Sequence, residues 1–394
     1  MIAQDARRHG DGPSHNPAMD IARSTPLLGG LAPETFMRRH WQKKPLLVRQ
    51  AVPGGVDLID RAGLFALAAH DEVESRLVVR DGARWSMRQG PFGRRTLPSP
   101  KRAGWTLLVQ GLDLHLSAAR RLLDRFRFAP DARLDDLMLS WASDGGGVGP
   151  HVDSYDVFLL QAQGRRRWRI GRVRDPAWIP GLPLKILADF EAEQEWLLEP
   201  GDMLYLPPGW GHDGVAEGEC TTCSIGFRAA PRDALAREVL QRLLDAADPD
   251  LAGPLYRDPT QPASATPARV PAALQDFAAA AVRRLLGDPG ALGCALGEVL
   301  SEPKRGVWFD PDAAAPALGA LALDRRSRML YDASHVYLNG ESFRAGGRDA
   351  TLMRRLADRR GLSARDLASL SAEARALVAD WVAAGWLVDD EGMP

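Results

Sequence analysis

The chain carries three successive patterns of hydrophobic and polar residues. From about residue 31, the text LAPETFMRRHWQKKPLLVR predicts a short helix that leads into an apolar strand. From about 77 to 228, short apolar runs alternate with glycine and proline, as in WTLLVQG, DLMLSWA, YDVFLLQ, RWRIG, EWLLEPGD, MLYLPPG and CTTCSIGF. Several short strands without long helices between them favour a sandwich, barrel or jelly roll over a parallel βαβ sheet.

A helical pattern follows from about 231 to 305. Apolar residues recur at helical spacing in two sets, Leu235, Val239 and Leu243, then Leu274, Ala278 and Leu285. The sets are joined by GPLYRDPTQPASATP, which is rich in proline, threonine and serine. Two such helices bury little surface alone, so we expect them to pack on the β region or on a second copy of themselves.

The last part of the chain predicts a third unit. VYLNGESF is a predicted hairpin, because Asn339 and Gly340 tolerate the positive φ of a type I′ turn. Ser363 precedes Asp366 by three residues, as in a capping box, and another helix ends near Gly385 ahead of an apolar WLV. Helices with short strands at this size indicate a winged-helix module. Basic and acidic residues are equally numerous from 321 to 394, so contact with protein is favoured over contact with DNA.

Composition narrows the class of protein. The 394 residues are 45% hydrophobic and 26% charged with a formal net charge of −1, which is typical of a globular protein and atypical of a nucleic-acid binder. No apolar run approaches the length of a membrane span. The opening residues lack an apolar signal region, and three cysteines cannot form a disulfide framework, so we expect a cytoplasmic protein. Residues 1–25 are polar and predict a flexible tail.

The candidate chemistry lies in GGGVGPHVDSYDVFLLQAQGRRRWRIG and PGDMLYLPPGWGHDG. His151 and Asp153 are two apart at the head of a strand, so their side chains project to the same side. His212 follows the apolar strand MLYLPP. Two histidines and one carboxylate on one face form the ligand set that binds Fe(II) and leaves positions for a co-substrate and oxygen. An H-x-D pair alone is also compatible with a polar strand end; the succession of strands and turns up to the second histidine favours the metal site.

Arg166 adds an independent indication. It alternates along RRRWRIG with Trp168 and Ile170, so the three side chains share a face. If that face is inward, the buried guanidinium requires an anion, and a dicarboxylate such as 2-oxoglutarate could chelate iron at one end and pair with Arg166 at the other. The alternative is that residue 166 faces solvent on an edge strand.

With these motifs, the chain resembles the JmjC-type, cupin-superfamily ribosomal oxygenases, and most closely the bacterial branch that hydroxylates an arginine of a large-subunit ribosomal protein. The resemblance rests on GPHVDSYDVF, GRRRWRIG, PGDMLYLPPGWGHDG and SIGFR, and it extends over about residues 25 to 394. It implies a mainly β protein with helices, built on a double-stranded β-helix, or jelly roll. The implied units are a catalytic domain over 26–229, a helical dimerisation region over 230–310 and a winged-helix-like domain over 311–394.

The resemblance also implies roles for individual residues. His151, Asp153 and His212 would bind Fe(II), and Arg166 with Ser140 would bind 2-oxoglutarate or nearby substrate groups. The enzyme would consume 2-oxoglutarate and O₂ to hydroxylate a ribosomal protein as a homodimer. An arginine substrate needs an acidic or aromatic clamp, for which the sequence offers Asp144, Tyr155 and Trp210.

Two other functions remain open on the sequence. One is a transcriptional regulator in which the cupin domain senses a ligand and the winged helix binds DNA. The other is an oxygenase with a different substrate, a tRNA base or a small metabolite. Cys220 and Cys223 form a C-x-x-C, but no second pair follows, so a redox or zinc site is disfavoured.

Overall fold

The computed structural model describes residues 19–246, 254–311 and 319–390. Most of the predicted flexible tail, residues 1–18, therefore lies outside the described part. Among the described residues, no helix is long and apolar enough to cross a membrane.

The first half of the chain is built on one ten-stranded antiparallel sheet that wraps into a barrel. Its strands, in chain order, are β1 (Leu46–Val48), β2 (Ser75–Asp81), β3 (Arg84–Gln89), β4 (Trp105–Val109), β5 (Leu134–Ala142), β6 (His151–Val152), β7 (Val157–Arg172), β8 (Gln194–Leu198), β9 (Met203–Leu206) and β10 (Trp210–Phe227). The main path runs β1-β9-β7-β10-β5-β4-β2-β3, with β6 paired to β10 and β8 paired to β7. This is the jelly roll that the sequence predicted.

Two long strands hold the barrel together. β7 and β10 pair along almost their whole lengths, and the register shifts where Glu217 and Thr221 face the region of Gly164. Gly164 has a φ of 62°, and a Cβ there would lie 2.1 Å from the Glu219 carbonyl oxygen. Only glycine fits this irregular pairing without displacement.

Short helices cover one side of the barrel and close its main hydrophobic core. They are the 3₁₀ turn Pro26–Leu28, α1 (Pro33–Arg39), α2 (Arg61–Leu67), α3 (Leu112–His115) and α4 (Ser117–Asp124). The core includes Phe36 from α1 and the fully buried Trp105, Trp141 and Phe158 from the strands. The predicted helix and strand near residue 31 are thus α1 and β1, and β1 pairs with β9.

Three longer helices follow, α5 (Arg232–Asp245), α6 (Ala272–Leu286) and α7 (Pro289–Ser301). The predicted apolar stripe of α5 is confirmed, because Val239 and Leu243 are buried against Ala295 of α7. The second predicted stripe behaves differently: no residue of α6 is buried in the single chain.

The C-terminal unit combines two three-stranded sheets with three helices. The sheets contain β11 (Leu321–Leu323), β12 (Met329–Tyr331), β13 (His335–Leu338), β14 (Glu341–Arg344), β15 (Gly361–Leu362) and β16 (Leu387–Asp389), and the helices are α8 (Gly347–Arg359), α9 (Ala364–Ala368) and α10 (Ala372–Ala383). The predicted hairpin joins β13 to β14, with φ values of 52° at Asn339 and 90° at Gly340. The capping box of Ser363 and Asp366 is formed as well.

Side chains of both parts fix the C-terminal unit on the barrel. Arg325 Nε donates to the Leu114 carbonyl at 2.7 Å, and Arg127 Nη1 donates to the Asp358 carbonyl at 2.7 Å. Lys304, just after α7, lies 3.1 Å from Asp135 and 3.0 Å from Asp136 at the start of β5. The contact of Lys304 with Asp136 matters for function because β5 also lines the cavity inside the barrel, which is described below.

Candidate metal centre and active-site cavity

Strand pairing brings the two candidate histidines together. β6 pairs antiparallel with β10, and His151 lies directly opposite His212. Asp153 follows β6 immediately and turns back towards both rings. His151 Nε2 lies 3.9 Å from Asp153 Oδ1, and His212 Nε2 lies 3.6 Å from Asp153 Oδ2. Side chains more than fifty positions apart in sequence thus converge on one point at the end of the barrel.

The backbone orients both imidazoles. His151 Nδ1 is 2.9 Å from the Gly149 carbonyl oxygen, and His212 Nδ1 is 3.2 Å from the Trp210 carbonyl oxygen. When Nδ1–H donates to a carbonyl, Nε2 is left with its lone pair free to coordinate a metal. Burial, together with the neighbouring His151, lowers the pKa of His212 to about 4, although Asp153 opposes the shift.

The donor atoms of the triad suit a single metal ion. One ligand atom from each of the three residues lies within 4.8 Å of the other two, and among the described residues this is the one such group of three or more His, Cys, Asp or Glu. Two imidazole nitrogens and a carboxylate oxygen are the donors that Fe(II) takes in oxygenases with open coordination positions.

Arg166 shares a face with Trp168 and Ile170, as the alternation along β7 predicted, and this face is inward, the first of the two alternatives that the sequence left open. It is 5% exposed, and its Nη1 donates to Ser140 Oγ of β5 at 3.2 Å. Its Nε and Nη2 are buried without a protein partner. A buried guanidinium with two unpaired donors fits an anion in the same space, and a carboxylate matches the fork of an arginine. The residues therefore fit a 2-oxoglutarate carboxylate.

The triad and Arg166 share a cavity of about 400 Å³. Its walls include Ser140, Trp168 and Leu159 deep in the barrel and Tyr155 at the opening, where this side chain is 38% exposed. Burial raises the pKa of the Tyr155 hydroxyl, and the Asp153 carboxylate raises it further. Tyr155 lies at the opening of the cavity, as the sequence suggested.

Two other candidates for the substrate clamp do not reach this cavity. Asp144 lies beyond the far end of β5, where its carboxylate accepts a hydrogen bond from the Gly218 amide at 2.8 Å. Trp210 is buried in a cluster of apolar side chains, with the Arg172 guanidinium 5.1 Å from its ring. Counting residues back from His151 placed Asp144 near the site, but the strand carries the chain away from the opening.

The acidic residues at the cavity lie at the other end of β5. Asp135 and Asp136 line it, and Asp136 is 6% exposed. Sequence reasoning missed them, although a signal was present: Asp136, Met138 and Ser140 alternate along β5 and so share one face. Arg76 of β2 also lines the cavity, with its Nε buried and unpaired.

Comparisons with known proteins agree with this architecture. A family model described as a JmjC domain matches residues 121–235, and one described as a ROXA-like winged helix matches residues 284–388. The ribosomal protein uL16 3-hydroxylase of Escherichia coli is 36% identical over 330 residues, which cover 80% of this chain and 86% of that protein.

Solved structures give the same result. The X-ray structure of E. coli YcfD superposes with a TM-score of 0.77 at 33% identity, over 90% of this chain and 97% of that one. A structure of YcfD, described as a ribosomal oxygenase in complex with cobalt and 2-oxoglutarate, gives a TM-score of 0.75 at 33% identity, over 91% and 98% of the two chains.

Proposed function

Because the chain belongs to the JmjC ribosomal oxygenase family and is an oxygenase dependent on Fe(II), 2-oxoglutarate and O₂, we propose that it hydroxylates an arginine side chain of a large-subunit ribosomal protein. The observation that carries the proposal is the juxtaposition of the triad, the unpaired Arg166 and an acidic opening in one cavity. The cytoplasm, where ribosomal proteins are made, is the location that goes with this proposal.

In this proposal, His151, Asp153 and His212 bind the iron. Arg166 and Ser140 bind the carboxylate of 2-oxoglutarate that is far from the metal. This contact orients the other end of 2-oxoglutarate towards the triad. The iron and its co-substrates supply the oxidising power needed to insert an oxygen atom into an unactivated C–H bond. The protein contributes orientation and the exclusion of water by the apolar barrel wall.

The acidic opening supports a cationic side chain as substrate. A guanidinium entering past Tyr155 would meet Asp136, whose carboxylate is already held by the Lys304 ammonium and by the Gly111 amide at 3.0 Å. Because both of these partners bind Oδ2, a substrate guanidinium would pair with Asp136 through Oδ1 in a charge-assisted hydrogen bond. The long aliphatic stem of an arginine also suits Met138 on the same face. The E. coli relative is described as acting on ribosomal protein uL16, which supports a ribosomal protein as substrate.

The test is a mass measurement. Purified protein with Fe(II), ascorbate and 2-oxoglutarate should convert one large-subunit ribosomal protein to a product heavier by one oxygen, and fragmentation should locate it on an arginine. His212→Ala and Asp153→Ala should abolish conversion, whereas His335→Ala, on the hairpin of the C-terminal unit, should leave it unchanged. Conversion by the triad variants at the wild-type rate would refute the assignment.

We also propose that α6 forms a symmetric dimer. Phe277, Val282 and Leu286 of this helix are exposed in the single chain, and Leu240 and Leu244 of α5 are exposed too. Exposed apolar side chains on helices are a typical isologous contact. Val282→Glu should convert the protein from dimer to monomer in light scattering, whereas Glu238→Gln on α5 should not. A monomeric wild-type protein would contradict the dimer.

A further inference from the structure

A second cavity, of about 960 Å³, lies between the barrel and the segment that enters the C-terminal unit. One wall is the stretch 70–74 between α2 and β2, and the other is the stretch 304–308 after α7. Leu114 and His115 of α3 form its floor. We call this space the interunit groove.

The interunit groove adjoins the active-site cavity. Gln110 and Asp136 line both spaces. A polypeptide that places one side chain beside the triad can therefore lay the neighbouring residues along the groove. The two adjoining spaces define the path that an extended segment would follow.

An exposed aromatic side chain lies in this path. Trp308 is 80% exposed, although its backbone carbonyl accepts a hydrogen bond from Arg326 Nη1 at 2.8 Å. A fixed backbone that presents an indole to solvent is a typical anchor for a protein partner, because a tryptophan gains much contact area at little cost in entropy.

The carboxylates of the groove that lack ion-pair partners are on its barrel wall. Asp71, Glu72 and Glu74 are exposed there, and within the described ranges none of them has an ion-pair partner. On the opposite wall, Lys304 pairs with Asp135 and Asp136, and Arg326 pairs with Asp324. Arg305 and Arg325 keep their positive charge on that opposite wall. The barrel wall of the groove therefore favours basic residues of a bound segment.

We infer that the interunit groove binds the basic polypeptide segment that flanks the target residue of the substrate. The inference rests on the proposed function and names a second contact for the same substrate. Proteins that bind RNA phosphates carry excess lysine and arginine, so a ribosomal protein has the charge that the acidic barrel wall of the groove attracts. An apolar side chain of the segment packs on Trp308, and its cations lie against the carboxylates of 71, 72 and 74.

The experiment compares two peptides of the identified substrate. The short one contains the target residue and its immediate neighbours, and the long one adds about ten residues on each side, which reach roughly 30 Å when extended. Trp308→Ala and the triple variant Asp71→Asn, Glu72→Gln, Glu74→Gln are assayed beside a control with the same charge change elsewhere, Glu341→Gln, Glu373→Gln, Asp380→Asn.

Each groove variant should raise KM for the long peptide about tenfold and leave kcat, KM for the short peptide and KM for 2-oxoglutarate unchanged. The effect of the triple variant should shrink in high salt, since exposed charges are screened. Anisotropy of the labelled long peptide should show the same loss in binding.

Equal KM values of wild-type and groove variants for the long peptide would overturn the inference, as would a change in self-association or in RNA binding in place of the peptide effect. A wild-type protein that hydroxylates neither peptide contradicts the proposed function instead, so the two failures are distinguishable.

Discussion

Replacing Arg166 by methionine tests whether this residue binds the co-substrate or stabilises the fold. Its guanidinium is buried, bonds only to Ser140 Oγ among the described residues, and keeps Nε and Nη2 unpaired. Methionine fills similar space without charge. The folded protein without co-substrate should therefore be no less stable, because the substitution removes no ion pair.

The effect on 2-oxoglutarate should be large. A buried carboxylate left without its bidentate partner loses roughly 3–5 kcal/mol, which corresponds to a Kd higher by about two to four orders of magnitude. Arg166→Lys keeps the charge but loses the planar fork, so its Kd should rise by only about tenfold. Ser140→Ala removes one hydrogen bond to a charged group and should cost about 1.5–3 kcal/mol.

Calorimetry under argon with a redox-inert divalent metal measures these affinities, and thermal unfolding with and without 2-oxoglutarate measures stability. We expect the ligand-induced rise in Tm to vanish for Arg166→Met while Tm without ligand stays at or above the wild-type value. If this variant bound 2-oxoglutarate like wild type, or lost several degrees of Tm without ligand, Arg166 would be a structural residue and the reasoning would be wrong.

Other predictions concern residues that stabilise the barrel around the site. The Asp202 pKa is lowered because hydrogen bonds from backbone amides and from Arg49 outweigh its burial. The ionised carboxylate therefore stabilises the fold above its unfolded pKa, and this stabilisation is lost as pH falls through the folded pKa. Asp202→Asn should lower the free energy of unfolding by about 1–3 kcal/mol at neutral pH and make it depend less on pH in acid. Burial raises the Cys223 pKa to about 12, so iodoacetamide should leave this thiol unmodified until denaturant is added, as peptide mass mapping would show. Gly164→Ala should lower stability by at least about 2 kcal/mol in urea unfolding, because of the positive φ and the contact with the Glu219 carbonyl; an unchanged midpoint would contradict that contact.

Local patterns predicted the fold well where one strand or turn carried the information. The alternation along β7 put Arg166 on one face with Trp168 and Ile170, and the spacing of His151 and Asp153 placed both at one strand end. The Asn339-Gly340 turn and the Ser363 cap formed as predicted, because both depend only on neighbouring residues.

The position of Asp144 shows where sequence reasoning was wrong. Asp144 is close to His151 in sequence, but the structure places it at the opposite end of β5 from Asp136. Distance along the chain does not report distance in space once a strand of nine residues intervenes. The periodicity of two along β5, read from Ser140 backwards, would have given Asp136.

The sequence by itself determined the strand-rich region, the helical and winged-helix elements, the metal-binding triad as a candidate and the face that Arg166 shares with Trp168 and Ile170. These follow from periodicity and turn chemistry, which act over a few residues. Only the tertiary structure decided that this face is inward, that Lys304 reaches Asp136, that the interunit groove adjoins the active-site cavity, and that no residue of α6 is buried within its own chain. Such features arise from the packing of segments distant in sequence, and no local pattern specifies which surfaces will meet.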